Sequence, residues 1–145
     1  MSISQISVFV ENQPGRLKRV LDAFEAQGIN VRGFSASDTG DYGIVRFILD
    51  EPQRGLEVLK GIGCATALSE VLCVRLKDTP GELARVVGII SELSNIIYSY
   101  SLVSTFTVFY VEDVAALEAV LVGKSVDVAT QTDLQECFSK ENGHE

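Results

Sequence analysis

The chain switches between two apolar periods, and it does so twice. Ile3, Ile6, Val8 and Val10 follow the near-twofold spacing of a half-buried strand. Leu17, Val20, Leu21 and Phe24 then recur at i, i+3, i+4 and i+7, the inward face of an amphipathic helix. The opposite face carries Arg16, Lys18, Arg19, Asp22 and Glu25. Gly28 stands where a helix C′ glycine belongs. Ile29 to about Ala36 reads as a second extended segment, and Asp38-Thr39-Gly40-Asp41 as a turn. Tyr42–Leu49 reads as a buried strand that forms a hairpin with it. Pro52 fits the first turn of a second helix, with Leu56 and Leu59 inward and Gly61 and Gly63 closing it. Cys64–Leu68 makes a short fourth strand, which completes the order β-α-β-β-α-β.

The same order then returns. Val71–Leu76 is a strand, Leu83, Val86, Val87 and Ile90 mark a helix face, and Ile96–Val103 and Thr105–Val111 are strands. Val114–Val122 is a helix with Leu117, Val120 and Leu121 inward, and Val126–Ala129 is a strand. Asp133–Phe138 reads as a short terminal helix, ahead of the polar tail Ser139–Glu145. Leu17/Leu83, Val20/Val86, Leu21/Val87 and Phe24/Ile90 share the offset of 66 that separates Pro14 from Pro80, the mark of a duplicated unit. The offset falls to 65 at Asn30/Asn95, where the second copy lacks a counterpart of Gly28. The predicted fold is α+β: two ferredoxin-like βαββαβ units, each an antiparallel sheet with its helices on one face. The expected domains are residues 1–69 and 70–138, followed by the tail 139–145. Leu68-Ser69-Glu70-Val71 between them is no flexible Gly/Ser or Pro-rich linker, so the two domains are expected to be fixed against each other.

Composition narrows the classes of function. The 145 residues carry a net charge of −8 and show no Lys/Arg run, which argues against nucleic acid and anionic membranes as partners. No apolar run reaches the roughly 18 residues of a membrane span. Met1-Ser2-Ile3-Ser4 lacks the basic start of a secretory signal, so the expected compartment is the cytosol. Cys64, Cys73 and Cys137 form neither a CxxC pair nor a zinc spacing, and their odd number argues against a disulfide framework. They read as small buried hydrophobes.

Catalytic chemistry has little to build on. The one histidine, His144, lies in the tail, so no His-based general base or Ser-His or Cys-His pair is expected in the folded body. Phosphate loops of the GxxxxGKS/T and GxGxxG types are absent. Asp50-Glu51 and Glu112-Asp113 precede the second helix of each copy, where acids favour a helix N-terminus; no metal-ligand spacing supports another use. No metal or cofactor is expected.

The remaining candidates are the two Pro-Gly turns, Asn12-Gln13-Pro14-Gly15-Arg16-Leu17 and Asp78-Thr79-Pro80-Gly81-Glu82-Leu83. As structure, they are helix starts. Proline suits the first helical position, Thr79 suits an N-cap, and Glu82 completes a T-x-x-E capping box. In the first copy Gln13 or Asn12 takes the cap. As chemistry, the N–H groups of Gly15, Arg16 and Leu17, and of Gly81, Glu82 and Leu83, would face a ligand carboxylate. Glycine lets a ligand approach the backbone, and Asn12 or Asp78 would take its ammonium.

These residues carry a family resemblance. Asn12-x-Pro14-Gly15-x-Leu17 followed by Gly28-Ile29-Asn30-Val31, and Asp78-x-Pro80-Gly81-x-Leu83 followed by Asn95-Ile96, resemble the ACT domain, here in tandem over residues 3 to about 130 without an attached catalytic domain. The resemblance implies a non-catalytic regulatory module that binds an amino acid or similar small ligand. It implies a site where the first strand-to-helix loop of one domain meets the helix-to-strand turn of its neighbour. One site would then combine Asn12, Gly15, Arg16 and Leu17 with Asn95 and Ile96. The other would combine Asp78, Gly81, Glu82 and Leu83 with Asn30 and Val31, and would be the more acidic of the two. A homodimer signalling to a regulated enzyme or regulator is the implied assembly. The alternative is a protein-interaction module in which the turns are caps only. An acylphosphatase-like enzyme shares this kind of fold, but nothing here matches its glycine-rich anion loop with a catalytic arginine.

Overall fold

The computed structural model describes residues 3–11, 13–38, 40, 42–102 and 105–135. The chain divides into two compact units, one of residues 4–69 and one of residues 70–145 with the first three. In the first unit the elements are β1 (Ile3–Glu11), α1 (Arg16–Ala26), β2 (Val31–Asp38), β3 (Tyr42–Leu49) and α2 (Pro52–Gly61). The second contains α3 (Glu82–Leu93), β5 (Ile96–Ser101), β6 (Phe106–Val111), α4 (Val114–Leu121) and β7 (Asp127–Val128). β4 (Ala65–Arg75) contributes residues 65–69 to the first unit and 70–75 to the second. Residues 131–135 are helical; the rest of the expected terminal helix, with Cys137 and His144, lies outside the described residues.

β4 departs from the sequence expectation of two strands joined at Leu68–Val71. The stretch from Ala65 to Arg75 contains no Gly, Pro, Asn or Asp, so nothing in it breaks an extended run. Both units are built from antiparallel pairs. In the first, β3 lies between β2 and β1, with Phe47 opposite Phe34 on one side and Ile6 on the other. The strand order continues from β1 to β4. In the second, β4 lies between β7 and β6, and β6 pairs onward with β5.

The helices cover one face of each sheet. In the first unit Ile6, Val8, Val45, Phe47 and Leu49 pack with Val20 and Phe24 of α1 and Leu59 of α2. The second repeats this with Leu72, Val74, Phe109 and Val111 against Val86, Ile90, Leu117 and Leu121. Glycine closes both helices of the first unit. Gly28 (φ 67°) donates to the Glu25 carbonyl and Ile29 to that of Phe24, and Gly63 (φ 81°) repeats the motif after α2. Without such a glycine, α3 ends directly at an extended Ser94. Asp113 caps α4 by accepting from the Ala116 N–H at 3.1 Å.

Three inward expectations fail. Leu21, Leu83 and Val120 are exposed at 36%, 54% and 45%, because each stands at the edge of a stripe whose centre is filled by its neighbours. On α4 the inward position one residue after Leu117 is Glu118, which is buried, and its Oε1 finds no partner among the described residues. Burial raises the Glu118 carboxyl above its usual 4.5, with Glu70 adding to the rise. A raised folded-state pKa gives stability that is present below the unfolded value and lost as pH rises through the folded value. Glu118→Gln is therefore expected to raise the melting temperature at pH 7 and to converge with wild type near pH 4. Parallel melts across that range would refute the assignment.

Candidate functional site

Each Pro-Gly turn folds as a β-turn and not as the predicted cap. Arg16 donates its N–H to the Gln13 carbonyl and Glu82 to that of Thr79, both at 3.3 Å. Proline takes the second position of the turn and glycine the third. Gly15 has φ 86° and ψ −8°, and Gly81 has φ 85° and ψ −9°, the type II geometry that demands glycine. These glycines are themselves the helix N-caps, so proline lies one residue outside each helix. No side chain caps either helix, and the T-x-x-E capping box does not form. Thr79 is held in the turn, and the Glu82 carboxylate instead takes Arg85 Nε and Nη2 at 3.0 and 2.9 Å.

The consequence is electrostatic. The first helical bonds run from Arg19 to Gly15 and from Arg85 to Gly81. The N–H groups of Arg16 and Glu82 are spent on the turn. Those of Leu17 and Lys18, and of Leu83 and Ala84, have no side-chain cap, so the helix start keeps its positive end.

A cavity opens beside each turn. In the first unit one of about 220 Å³ is lined by Gln13, Arg16 and Leu17, the end of β1, and Ala36–Asp38 and Gly43 of the β2–β3 hairpin. In the second, one of about 350 Å³ is lined by Lys77, Asp78, Thr79 and Leu83, with Ser101 and Thr105–Thr107 from β5 and β6. The hairpin residues escaped the sequence reading. Strand register brings them here, with Glu11 opposite Tyr42 and Asp38 opposite Gly43, and composition alone does not carry that information.

Of the residues expected in the first site, Gly15, Arg16 and Leu17 lie together at the turn, and Asn12 lies outside the described residues. Arg16 is held by Glu11 at 3.4 Å and Gln13 Oε1 at 3.3 Å. In the second copy Asp78, Gly81 and Leu83 are exposed at the turn, and Glu82 is turned toward Arg85. The Arg85 guanidinium holds the Glu82 carboxyl below the usual carboxylate range. Of the acidity expected at the second turn, the share of Glu82 is offset by Arg85, and Asp78 stays exposed.

Asn30, Val31, Asn95 and Ile96 open β2 and β5. Within its own unit each stands at the far end of its strand from the turn cavity, roughly 20 Å away for a strand such as β2 at about 3.3 Å per residue. Asn30 exchanges hydrogen bonds with Asp50, donating to Oδ1 at 3.0 Å and accepting from its N–H at 3.1 Å. A β-bulge follows in both copies, between Val31 and Gly33 and between Ile96 and Tyr98.

Other chemistry is not assembled among the described residues. Cys73 is fully buried and burial pushes its thiol up to about 12, which leaves it no nucleophile at neutral pH. No group of three His, Cys, Asp or Glu is placed to hold a metal ion, and no helix is long and apolar enough to cross a membrane.

Residues 1–138 match the ACT domain pair family, and the chain belongs to that family. ACT domains are regulatory, non-catalytic domains that bind small molecules. Protein BT0572 from Bacteroides thetaiotaomicron is 30% identical, with a TM-score of 0.87 over 93% of this chain and 96% of its own. The regulatory subunit of aspartate kinase from Thermus thermophilus, in its ligand-free form, is 20% identical, with a TM-score of 0.62 over 83% and 89%. That of Thermus flavus is 20% identical, with a TM-score of 0.57 over 83% and 91%. The likeness to these two subunits is one of fold. No curated protein sequence matches the chain.

Proposed function

We propose that the protein is a non-catalytic amino-acid sensor that binds its ligand at the Pro-Gly turns. The supporting observation is that one uncapped helix start, opening on a small cavity, is built twice with the same backbone angles. A ligand carboxylate supplies the acceptor that the free N–H groups lack. A Cβ on Gly15 or Gly81 would meet nothing within 4 Å, so the backbone is open to close approach. Asn12 and Asp78 take the ammonium group.

The family resemblance adds the second half of each site. Asn95 and Ile96 join the Asn12 turn, and Asn30 and Val31 join the Asp78 turn. The two domains of the pair are assigned to residues 1–69 and 70–138. The protein acts as a cytosolic homodimer that passes occupancy to a regulated enzyme or regulator. Ligand must then bind one arrangement of the protein better than another.

Thermal shift against the twenty amino acids tests the reading. A cognate ligand at a hundred times its Kd is expected to add about 2.7 kcal/mol. No stabilisation by any amino acid at 10 mM would refute it. Asn12→Ala and Asn95→Ala are expected to weaken the same binding event; effects on separate events would overturn the crossed pairing of turns.

A further inference from the structure

The second unit has another cavity, larger than the one at its turn. It measures about 890 Å³ and lies between the end of β4, the first turn of α3 and the connection from α4 to β7. Its charged lining comprises Arg75, Lys77, Arg85, Lys124, Glu82 and Asp127. Four of the twelve Lys and Arg residues of a chain with net charge −8 thus converge on one cleft.

The duplication supplies an internal control. The matching cleft of the first unit measures about 270 Å³ and is lined by Phe9, Glu11, Arg16, Arg19 and Ile62. One contact is common to both. Arg19 Nη2 donates to the Ile62 carbonyl at 3.3 Å, and Arg85 Nη1 donates at 2.7 Å to that of Ser125, one position beyond the counterpart of Ile62, so an arginine ties down the loop before the last strand in each unit. Around that shared frame the second copy has replaced Phe9 by Arg75, Glu11 by Lys77 and Ile62 by Lys124. One acid and two apolar residues have become three cations, while Arg16 has become Glu82 and Ala65 has become Asp127, so the charged lining goes from a net +1 to a net +2.

Their charge is only partly offset. Glu82 pairs with Arg85, and Asp127 lies 4.0 Å from Arg75, which also sits 5.0 Å over the Phe106 ring. Lys77 and Lys124 form no ion pair with any described residue, although Glu82 lies near enough to Lys77 for the ammonium to help lower its carboxyl. Arg85 is committed to Glu82 and Ser125, so no free guanidinium fork faces the cleft from α3 to take a carboxylate bidentately. Two exposed ammonium groups suit a compact multiple charge instead. The volume is that of a small-metabolite site.

We propose that this cleft of the second unit binds a phosphate-bearing small metabolite, with Lys77 and Lys124 as its charge partners. The cleft adjoins the second turn cavity and shares Leu76, Lys77 and Thr105 with it, whereas Lys124 lines the cleft alone; binding there does not require an amino acid at the turn.

The test uses the full chain and inorganic pyrophosphate, titrated by calorimetry at low ionic strength, with inorganic phosphate and sodium chloride as further arms. Pyrophosphate is expected to bind saturably and more tightly than phosphate, and to weaken as salt is added. Lys124→Ala, at an exposed position that lines only this cleft, is expected to lower affinity about tenfold, as for the loss of one charge-assisted contact. Lys18→Ala makes the same change in net charge on α1 and is expected to leave affinity unchanged. Absence of saturable binding at 1 mM pyrophosphate would overturn the proposal. So would an equal loss in the two variants, which would mark the effect as net charge alone.

Discussion

Replacing Phe47 with alanine is expected to destabilise the protein by about 3–5 kcal/mol, as for other buried aromatic truncations. Phe47 is fully buried on β3, where it faces Ile6 on one neighbouring strand and Phe34 on the other. Its ring meets Phe24 of α1 edge-to-face at 5.3 Å, so it joins sheet to helix. Removing it deletes apolar burial and leaves a cavity that a strand bonded on both sides closes poorly. Because a domain of this size holds only some 5–15 kcal/mol in total, the loss should bring the unfolding midpoint in urea down sharply. A double-mutant cycle with Phe24→Ala is expected to return about 0.5–1.5 kcal/mol of coupling, the worth of an edge-to-face pair. A single-mutant cost below 2 kcal/mol would contradict this account of the core.

The second large effect is expected at the turns. Gly15→Val and Gly81→Val force a β-branched residue to φ near 86° and 85°, where an L side chain crowds its own carbonyl. Each is expected to cost about 1–2 kcal/mol or more, although a Cβ would meet no neighbour there. Strain in the backbone is the cause, not a clash. Thr79→Ala separates the type II turn from the capping box that the sequence suggests. With the box, its loss would cost about 1 kcal/mol; with the observed turn it should change stability by less than about 0.5 kcal/mol. Urea unfolding of both variants decides between them. The glycine variants should also weaken any ligand held by the first-turn N–H groups, whereas Thr79→Ala should leave those groups in place.

The same turn shows how far sequence reading reaches. Pro-Gly before an apolar helix announces a break in the chain wherever it occurs, because proline fixes φ and glycine admits a positive one. Whether the break is a cap or a turn depends on where the next side chains go. Glu82 had two suitors, the backbone behind it and Arg85 one turn ahead; Arg85 is its main partner, and the Lys77 backbone N–H adds a lesser bond outside the capping box. Glu118 teaches a related lesson. Its spacing from Val114, Leu117 and Leu121 places it on the inward face, and the packing of α4 buries it there while the expected Val120 stays exposed.

The turn cavities and the basic cleft lie further from view. Gln13, Asp38 and Gly43 meet only because β1 and β2 both pair with β3, in registers fixed by side chains elsewhere. Arg75, Lys77, Arg85 and Lys124 never form a run, so an acidic chain with scattered lysines looked featureless for anions.

The sequence by itself determined the α+β order of elements, the duplication, the breaks at Pro14-Gly15 and Pro80-Gly81, and the glycine ends of α1 and α2. Each of these rests on a local constraint, a hydrophobic period or a permitted φ, that a few neighbouring residues impose. The tertiary structure alone decided that β4 is continuous, that glycine and not threonine starts α3, that Glu118 is buried, and that four separated cations share one cleft. Those outcomes depend on which distant segments meet, a competition among long-range contacts that no short window of sequence contains.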